Sequence, residues 1–244
     1  MPDLMERAIM EINELEPEIV VCSGDLTAYG FKPEYAEAKT YLDRLDCKQL
    51  VVVPGNHDSR NVGYIHFEEL FGDRNPVVHV NGVSIVAVDS TEPDLDHGHI
   101  GRSRYPWIQE QFSADADFRI FVLHHHLLPV PGTGRERNVV YDAGDAIECL
   151  LRAGVHLVLS GHKHVPYAWR LEHLFVVTTG TVSSLRLRGN TRPCYNVVEV
   201  HGNHVSISRR HPFHGEERII QFSTETFEYE KYTGRIEREV TTRG

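Results

Sequence analysis

Four short clusters of potential metal ligands punctuate the chain, in the order Gly24-Asp25, Gly55-Asn56-His57-Asp58, His124-His125-His126 and Gly161-His162-Lys163-His164. Each closely follows an apolar run: Ile19-Val20-Val21-Cys22, Leu50-Val51-Val52-Val53, Ile120-Phe121-Val122-Leu123 and His156-Leu157-Val158-Leu159. Continuous apolar runs of this length read as strands buried on both faces of a parallel sheet. Loops at the C-terminal ends of such strands, each offering a carboxylate, an amide or an imidazole, predict one metal centre at one sheet edge. That donor mix suits manganese, iron, zinc, cobalt or nickel, and the lack of thiolates argues against structural zinc. Two such ions about 3.5–4 Å apart can bridge a phosphate, lower the pKa of a bound water toward ~7, and stabilise the attacking and leaving oxygens. A bridging carboxylate holds two cations that close, and Asp25, at a strand tip, is the candidate.

The elements that must position these groups follow from periodicity. Helical spacing of apolar residues predicts a helix over 4–15, ended by Pro17, and another over 33–46, opened by Pro33. Strands are predicted at 18–22 and 49–53, a helical stretch at Phe67–Phe71, and strands at 77–80 and 83–88 joined by the hairpin signal Asn81-Gly82. A polar loop over 90–103 leads to a helix over 105–114, a strand at 118–123, a helix over 143–153 and a strand at 156–160. This alternation implies parallel strands with right-handed crossovers. Beyond residue 165 the pattern changes to short strands at 165–170, 174–178, 196–200 and 205–210, separated by turns and suited to antiparallel pairing. From about 212 the chain is polar and weakly patterned, and no fold is predicted there.

Composition narrows the classes. With 244 residues, 41% hydrophobic and 25% charged, the chain is an ordinary globular protein with room for one well-buried α/β domain. A net charge of −10 argues against a broad surface for long nucleic acid. No apolar run approaches the roughly 18 residues of a membrane span, and the N-terminus lacks a signal-peptide pattern. The dispersed cysteines (Cys22, Cys47, Cys149 and Cys194) have no zinc spacing and read as reduced residues of a cytoplasmic protein. The 16 histidines lean toward a metalloprotein. Nothing fixes the oligomeric state.

The ordered set Gly-Asp, Gly-Asn-His-Asp, His run and Gly-His-x-His resembles the calcineurin-like metallophosphoesterase superfamily, nearest its cyclic-nucleotide phosphodiesterase-like branch. The likeness covers the chain to about residue 210, so residues 1–211 are expected as the metallophosphoesterase domain and 212–244 as a polar tail or extension. It implies a four-layer αββα sandwich with mixed sheets and a two-metal centre where the loops meet. Carried over, Asp25 would bridge both metals; Asn56, His124 and His162 would bind the second metal, and His164 the first. His125 is the alternative ligand within the run. His57 would face the substrate, steadying phosphoryl oxygens or protonating the leaving group, with Asp58 orienting it by a hydrogen bond. The family's Asp-x-His pair, on its first strand, is not found in this chain. A first strand lying upstream is expected, and Asp96 and His99 are the candidates to replace the pair.

The resemblance further implies two divalent ions (manganese, iron, zinc or cobalt) and phosphodiester hydrolysis, by metal-hydroxide attack, of small or cyclic nucleotides. A catalytically impaired phosphate-binding protein with a half-built centre, and a nuclease of the same superfamily, are the alternatives. Arg135, Arg137 and His125 are candidate substrate contacts, the two arginines equally readable as part of a solvated loop. Arg186, Arg188 and Arg192 read as a solvated face, Asp89-Ser90 as a structural turn, and Trp107 and Trp169 as core.

Overall fold

The computed structural model describes residues 2–112, 114–131, 133, 139–184 and 191–232. Helices α1 (Pro2–Asn13), α2 (Lys32–Leu42), α3 (Gly63–Phe71), α4 (Tyr105–Gln111) and α5 (Ala143–Arg152) alternate with the first strands. Strands β1 (Ile19–Cys22) and β2 (Gln49–Val52) pair in parallel as a two-stranded sheet. A six-stranded sheet has the order β3-β4-β5-β6-β8-β7, built from Val77–Val80, Val83–Ala87, Phe118–Val122, Leu157–Ser160, Leu174–Thr178 and Tyr167–Leu171. Its central strands β4, β5, β6 and β8 are parallel, with β3 and β7 antiparallel at the margins. A four-stranded antiparallel sheet comprises β9 (Tyr195–His201), β10 (His204–His211), β11 (Gly215–Ser223) and β12 (Tyr229–Lys231).

Successive side chains of a strand point to opposite faces, and that rule builds the layers. Phe118, Ile120 and Val122 of β5 enter an inner core shared with Val51 of β2, Val53 just after it, and Val205, Ile207 and Phe222 of the antiparallel sheet. The intervening Phe121, with Leu123, faces outward against α4 and α5, where Ile108, Ala146 and Leu150 cover it. Val52 likewise turns outward to Tyr35 of α2 and Phe67 of α3. Helices, sheets, sheets and helices thus stack in the predicted αββα order.

Asn81 (φ 48°) and Gly82 (φ 78°) close the β3–β4 hairpin with both central residues left-handed, as a type I′ turn requires. The structure departs from expectation in three places. Helices α2 and α4 stop at Leu42 and Gln111, short of residues 46 and 114. All four residues of β1 are only partly buried, because β2 is its one strand partner among the described residues. Residues 215–231, for which no fold was predicted, supply β11 and β12. Ile207 pairs with Ile220 and Ser208 with Arg218, so Ile219 is a bulge that turns two consecutive isoleucines inward and breaks the alternation.

Between β5 and β6, the N–H of Arg119 donates to His156 Nδ1 at 3.0 Å, which keeps that nitrogen unprotonated. Burial, then the charge of Arg119, lowers the imidazole from its ordinary value to about 4. The unfolded chain takes up this proton near pH 6.5 and the native chain only near 4, so native stability is lost as pH falls through that window. His156→Gln should therefore flatten the acid side of the stability curve by at most ~1.4 kcal/mol per pH unit. Urea unfolding of both proteins between pH 7 and 4.5 checks this, and parallel curves would contradict it.

Candidate metal centre

The C-terminal ends of β1, β2, β5 and β6 meet at one edge of the two inner layers, and two glycines set how close their loops come. A Cβ on Gly24 (φ +93°) would lie 2.4 Å from the nitrogen of Gly55. One on Gly55 would lie 2.2 Å from Asp25 Oδ1 and 2.8 Å from His124 Cε1. Only glycine lets the two backbones touch there. Asp58, fully buried, then ties the loops together, its carboxylate accepting from Gly55 N–H (2.8 Å), Leu26 N–H (3.1 Å), Thr27 N–H (2.8 Å) and the Thr27 hydroxyl (2.9 Å). Burial, then the charge of Asp25, pushes its carboxyl up to about 6, while those donors pull it down. The bond expected from Asp58 to His57 is not made: the Asp58 carboxylate is spent on these donors. His57 Nδ1 instead lies 2.8 Å from the carbonyl oxygen of Ala28. A carbonyl only accepts, so Nδ1–H donates and Nε2 is left for other chemistry.

The centre itself is a meeting of lone pairs. His124 Nδ1 lies 2.7 Å from the carbonyl oxygen of Ser23, which fixes the hydrogen on Nδ1 and leaves a lone pair on Nε2. That Nε2 faces Asn56 Oδ1 at 3.1 Å, His162 Nδ1 at 3.2 Å and Asp25 Oδ1 at 3.4 Å. His162 Nδ1 is also 3.0 Å from Asn56 Oδ1, and its Nε2 is buried with no partner among the described residues. Asp25 holds a left-handed backbone (φ 59°), and its Oδ1 accepts from His57 N–H at 3.2 Å. With His124 in its neutral form, the one hydrogen that can enter the space between these four groups is that on His162 Nδ1. Burial, then His124 and His125, holds His162 far below the usual imidazole range, so a second proton is opposed. A divalent cation satisfies all four atoms at once, and the donor set fits one. Ligand atoms of Asp25, His124 and His162 lie within 4.8 Å of one another, the one such His/Cys/Asp/Glu group among the described residues.

The other predicted residues are placed around this group. His125 is fully buried, its Nδ1 2.9 Å from the Ser90 hydroxyl and its ring 4.7 Å from that of His162, and it is not in the ligand group. Burial holds it well below the ordinary imidazole range. Neither nitrogen of His126 has a partner among the described residues, and burial lowers its imidazole to about 3. His164 (φ 57°) is not in the group either. Nor are Asp96 and His99: Asp96 accepts from Asn56 and Arg60, and His99 pairs with Glu92. Arg135, Arg137, Arg186 and Arg188 lie outside the described residues. Asp89 is buried and anchors Arg74 at 2.7 Å and Thr91, a structural role. Trp169 donates to the carbonyl of Pro129. Sequence reasoning missed the carbonyls of Ser23 and Ala28 and the Arg60–Asp96 pair. Arg60, two residues past Gly-Asn-His-Asp, was the one visible signal among them.

Comparison with known proteins gives the chain a family. The model of the calcineurin-like phosphoesterase family matches residues 2–166, and the chain belongs to that family. It is 25% identical over 158 residues to a protein of Synechococcus sp. named a probable cyclic nucleotide phosphodiesterase, covering 63% of this chain and 60% of that one. It is 28% identical over 178 residues to the cAMP/cGMP dual specificity phosphodiesterase of Mycobacterium tuberculosis, covering 66% and 54%. The chain thus matches a little over half the length of these relatives. Among solved structures, purple acid phosphatase from yellow lupin shares the fold with a TM-score of 0.67 at 13% identity, over 87% of this chain and 47% of that one.

Asp58→Asn keeps one acceptor but turns an NH2 toward backbone donors, leaving at least one of them unpaired. It should destabilise the metal-free protein by about 1–3 kcal/mol, the cost of a buried unsatisfied donor. Urea unfolding measures this, and a change under about 0.5 kcal/mol, the level of an ordinary surface substitution, would contradict the tie between the loops.

Proposed function

We propose that this centre binds divalent cations and serves the hydrolysis of phosphodiesters, with small or cyclic nucleotides as the substrate class. The observation that carries the reading is the facing of His124 Nε2, His162 Nδ1, Asn56 Oδ1 and Asp25 Oδ1 across 3.0–3.4 Å with too few hydrogens to pair them. Manganese, iron, zinc and cobalt all suit that mixture of imidazole, amide and carboxylate. Two ions are the number proposed for the complete centre; the four facing donors make the ligand set of one, and Asp25 and His164 belong to the other. The bound ions supply Lewis acidity toward phosphoryl oxygens and a water of lowered pKa.

The chain's own residues supply the rest. Donation from His57 Nδ1 to the Ala28 carbonyl fixes the ring and leaves Nε2 facing away from that bond. As the P–O bond to the leaving group breaks, Nε2–H gives its proton to the departing oxygen and the imidazole becomes neutral. Asp58 acts on this step through the loop it ties, not through the imidazole. The nucleotide preference is supported by the names of the relatives, and a net charge of −10 works against long polyanions. No described helix is long and apolar enough to cross a membrane. The four cysteines are unpaired, in keeping with a cytoplasmic setting.

Manganese-loaded protein should retain at least one ion per chain by plasma mass spectrometry and hydrolyse bis(p-nitrophenyl) phosphate and cyclic nucleotides. His162→Ala should lose the ion. His57→Ala should keep it while kcat falls by roughly 10²-fold, the lower range for a positioned acid. Protein that binds no manganese above background, or hydrolysis unaffected by chelation, would overturn the reading.

A further inference from the structure

Beside the centre, the exposed side chain of Asp96 reaches the amide of Asn56. An asparagine amide can present either its oxygen or its NH2, and only the oxygen binds a cation. Asn56 Nδ2 lies 3.1 Å from Asp96 Oδ1. A carboxylate can only accept, so the amide edge that meets it must be the NH2, and Oδ1 is thereby turned toward His124 and His162. The same carboxylate oxygen accepts from Arg60 Nη2 at 2.6 Å, and Arg60 Nη1 lies 3.2 Å from His57 Nδ1. Arg60 thus holds the carboxylate over the amide and places a guanidinium beside the proposed acid. Asp94 steadies the segment from below: its Oδ1 accepts from Asn61 N–H at 2.8 Å, and its N–H donates to the Ser59 carbonyl. The loop bearing Asp96 is therefore pinned to the turn that carries Asn56, His57 and Arg60.

We propose that Asp96 is a positioning residue that sets the polarity of the Asn56 amide and, with it, the affinity of the centre for its cation. The proposal rests on the metal-centre reading above. Asp96 is 74% exposed, so replacing it leaves the core intact. Removing the partner that orients a metal ligand typically weakens metal binding 10- to 100-fold.

The test has two arms. In metal-free protein, the Asn56 side-chain NH2 resonances, assigned by their loss in Asn56→Ala, should shift and exchange faster with solvent in Asp96→Ala. In the second arm, calorimetric titration with manganese should show about tenfold weaker binding for Asp96→Ala, with a changed visible spectrum for the cobalt-loaded protein. Asp96→Asn, whose own oxygen can accept from Asn56, should recover most of the affinity. In an Asn56→Ala background, Asp96→Ala should have no further effect. Unchanged NH2 resonances, unchanged manganese affinity in Asp96→Ala, or an equal loss in the Asn56→Ala background would each overturn the proposal. Wild-type protein that binds no manganese, while its NH2 resonances respond as expected, would overturn the metal-centre reading and the affinity role, leaving only the orientation of the amide.

Discussion

Electron-rich atoms repel, and a buried set of them at hydrogen-bond distance needs a positive charge between them. His124 Nε2, His162 Nδ1, Asn56 Oδ1 and Asp25 Oδ1 are such a set, and the surrounding fold holds them together against that repulsion. A proton is a poor answer, since it can join only two of the four atoms and burial disfavours charging His162. A divalent cation neutralises all four without asking any imidazole to ionise. The cost of desolvating those groups is met by the apolar layers on either side of the sheets.

The architecture answers this constraint at each level. Parallel strands in two facing layers bring four C-terminal ends to one edge, and the inner core of Val51, Val53, Ile120, Val122 and Phe175 fixes their separation. At the edge the backbones must come closer than side chains permit, hence Gly24 and Gly55 in contact. The buried carboxylate of Asp58 then closes four hydrogen bonds across that contact. Outside it, Arg60 and Asp96 form an exposed layer of charge that reaches the ligand amide and the neighbourhood of His57.

What was legible in the sequence was the part governed by short-range rules. The ligand types sit at strand ends, and strands buried on both faces announce themselves as apolar runs, so the parallel α/β alternation and one metal centre at a sheet edge could be read from residue types, while the αββα order and the choice of Asn56, His124 and His162 as ligands came only with the family resemblance. Two things were not legible. Strand β11 is hidden because a bulge at Ile219 sets two isoleucines inward and erases the two-residue alternation by which strands are recognised. The partners of Asp58 and His57 are hidden because they are backbone groups, which every residue carries and no sequence marks. That is why adjacency suggested a bond between Asp58 and His57 where the fold gives each a different partner. Asp96 was noticed as a substitute ligand; its place against the Asn56 amide depends on how a polar loop folds back over the turn.

The most direct test of the central claim is an anomalous difference map from crystals soaked in manganese, recorded at wavelengths above and below the manganese absorption edge. A peak in contact with His124 Nε2, His162 Nδ1, Asn56 Oδ1 and Asp25 is expected, lost in His162→Ala. A manganese peak elsewhere with this space empty, or no peak at any concentration the crystals tolerate, would contradict it.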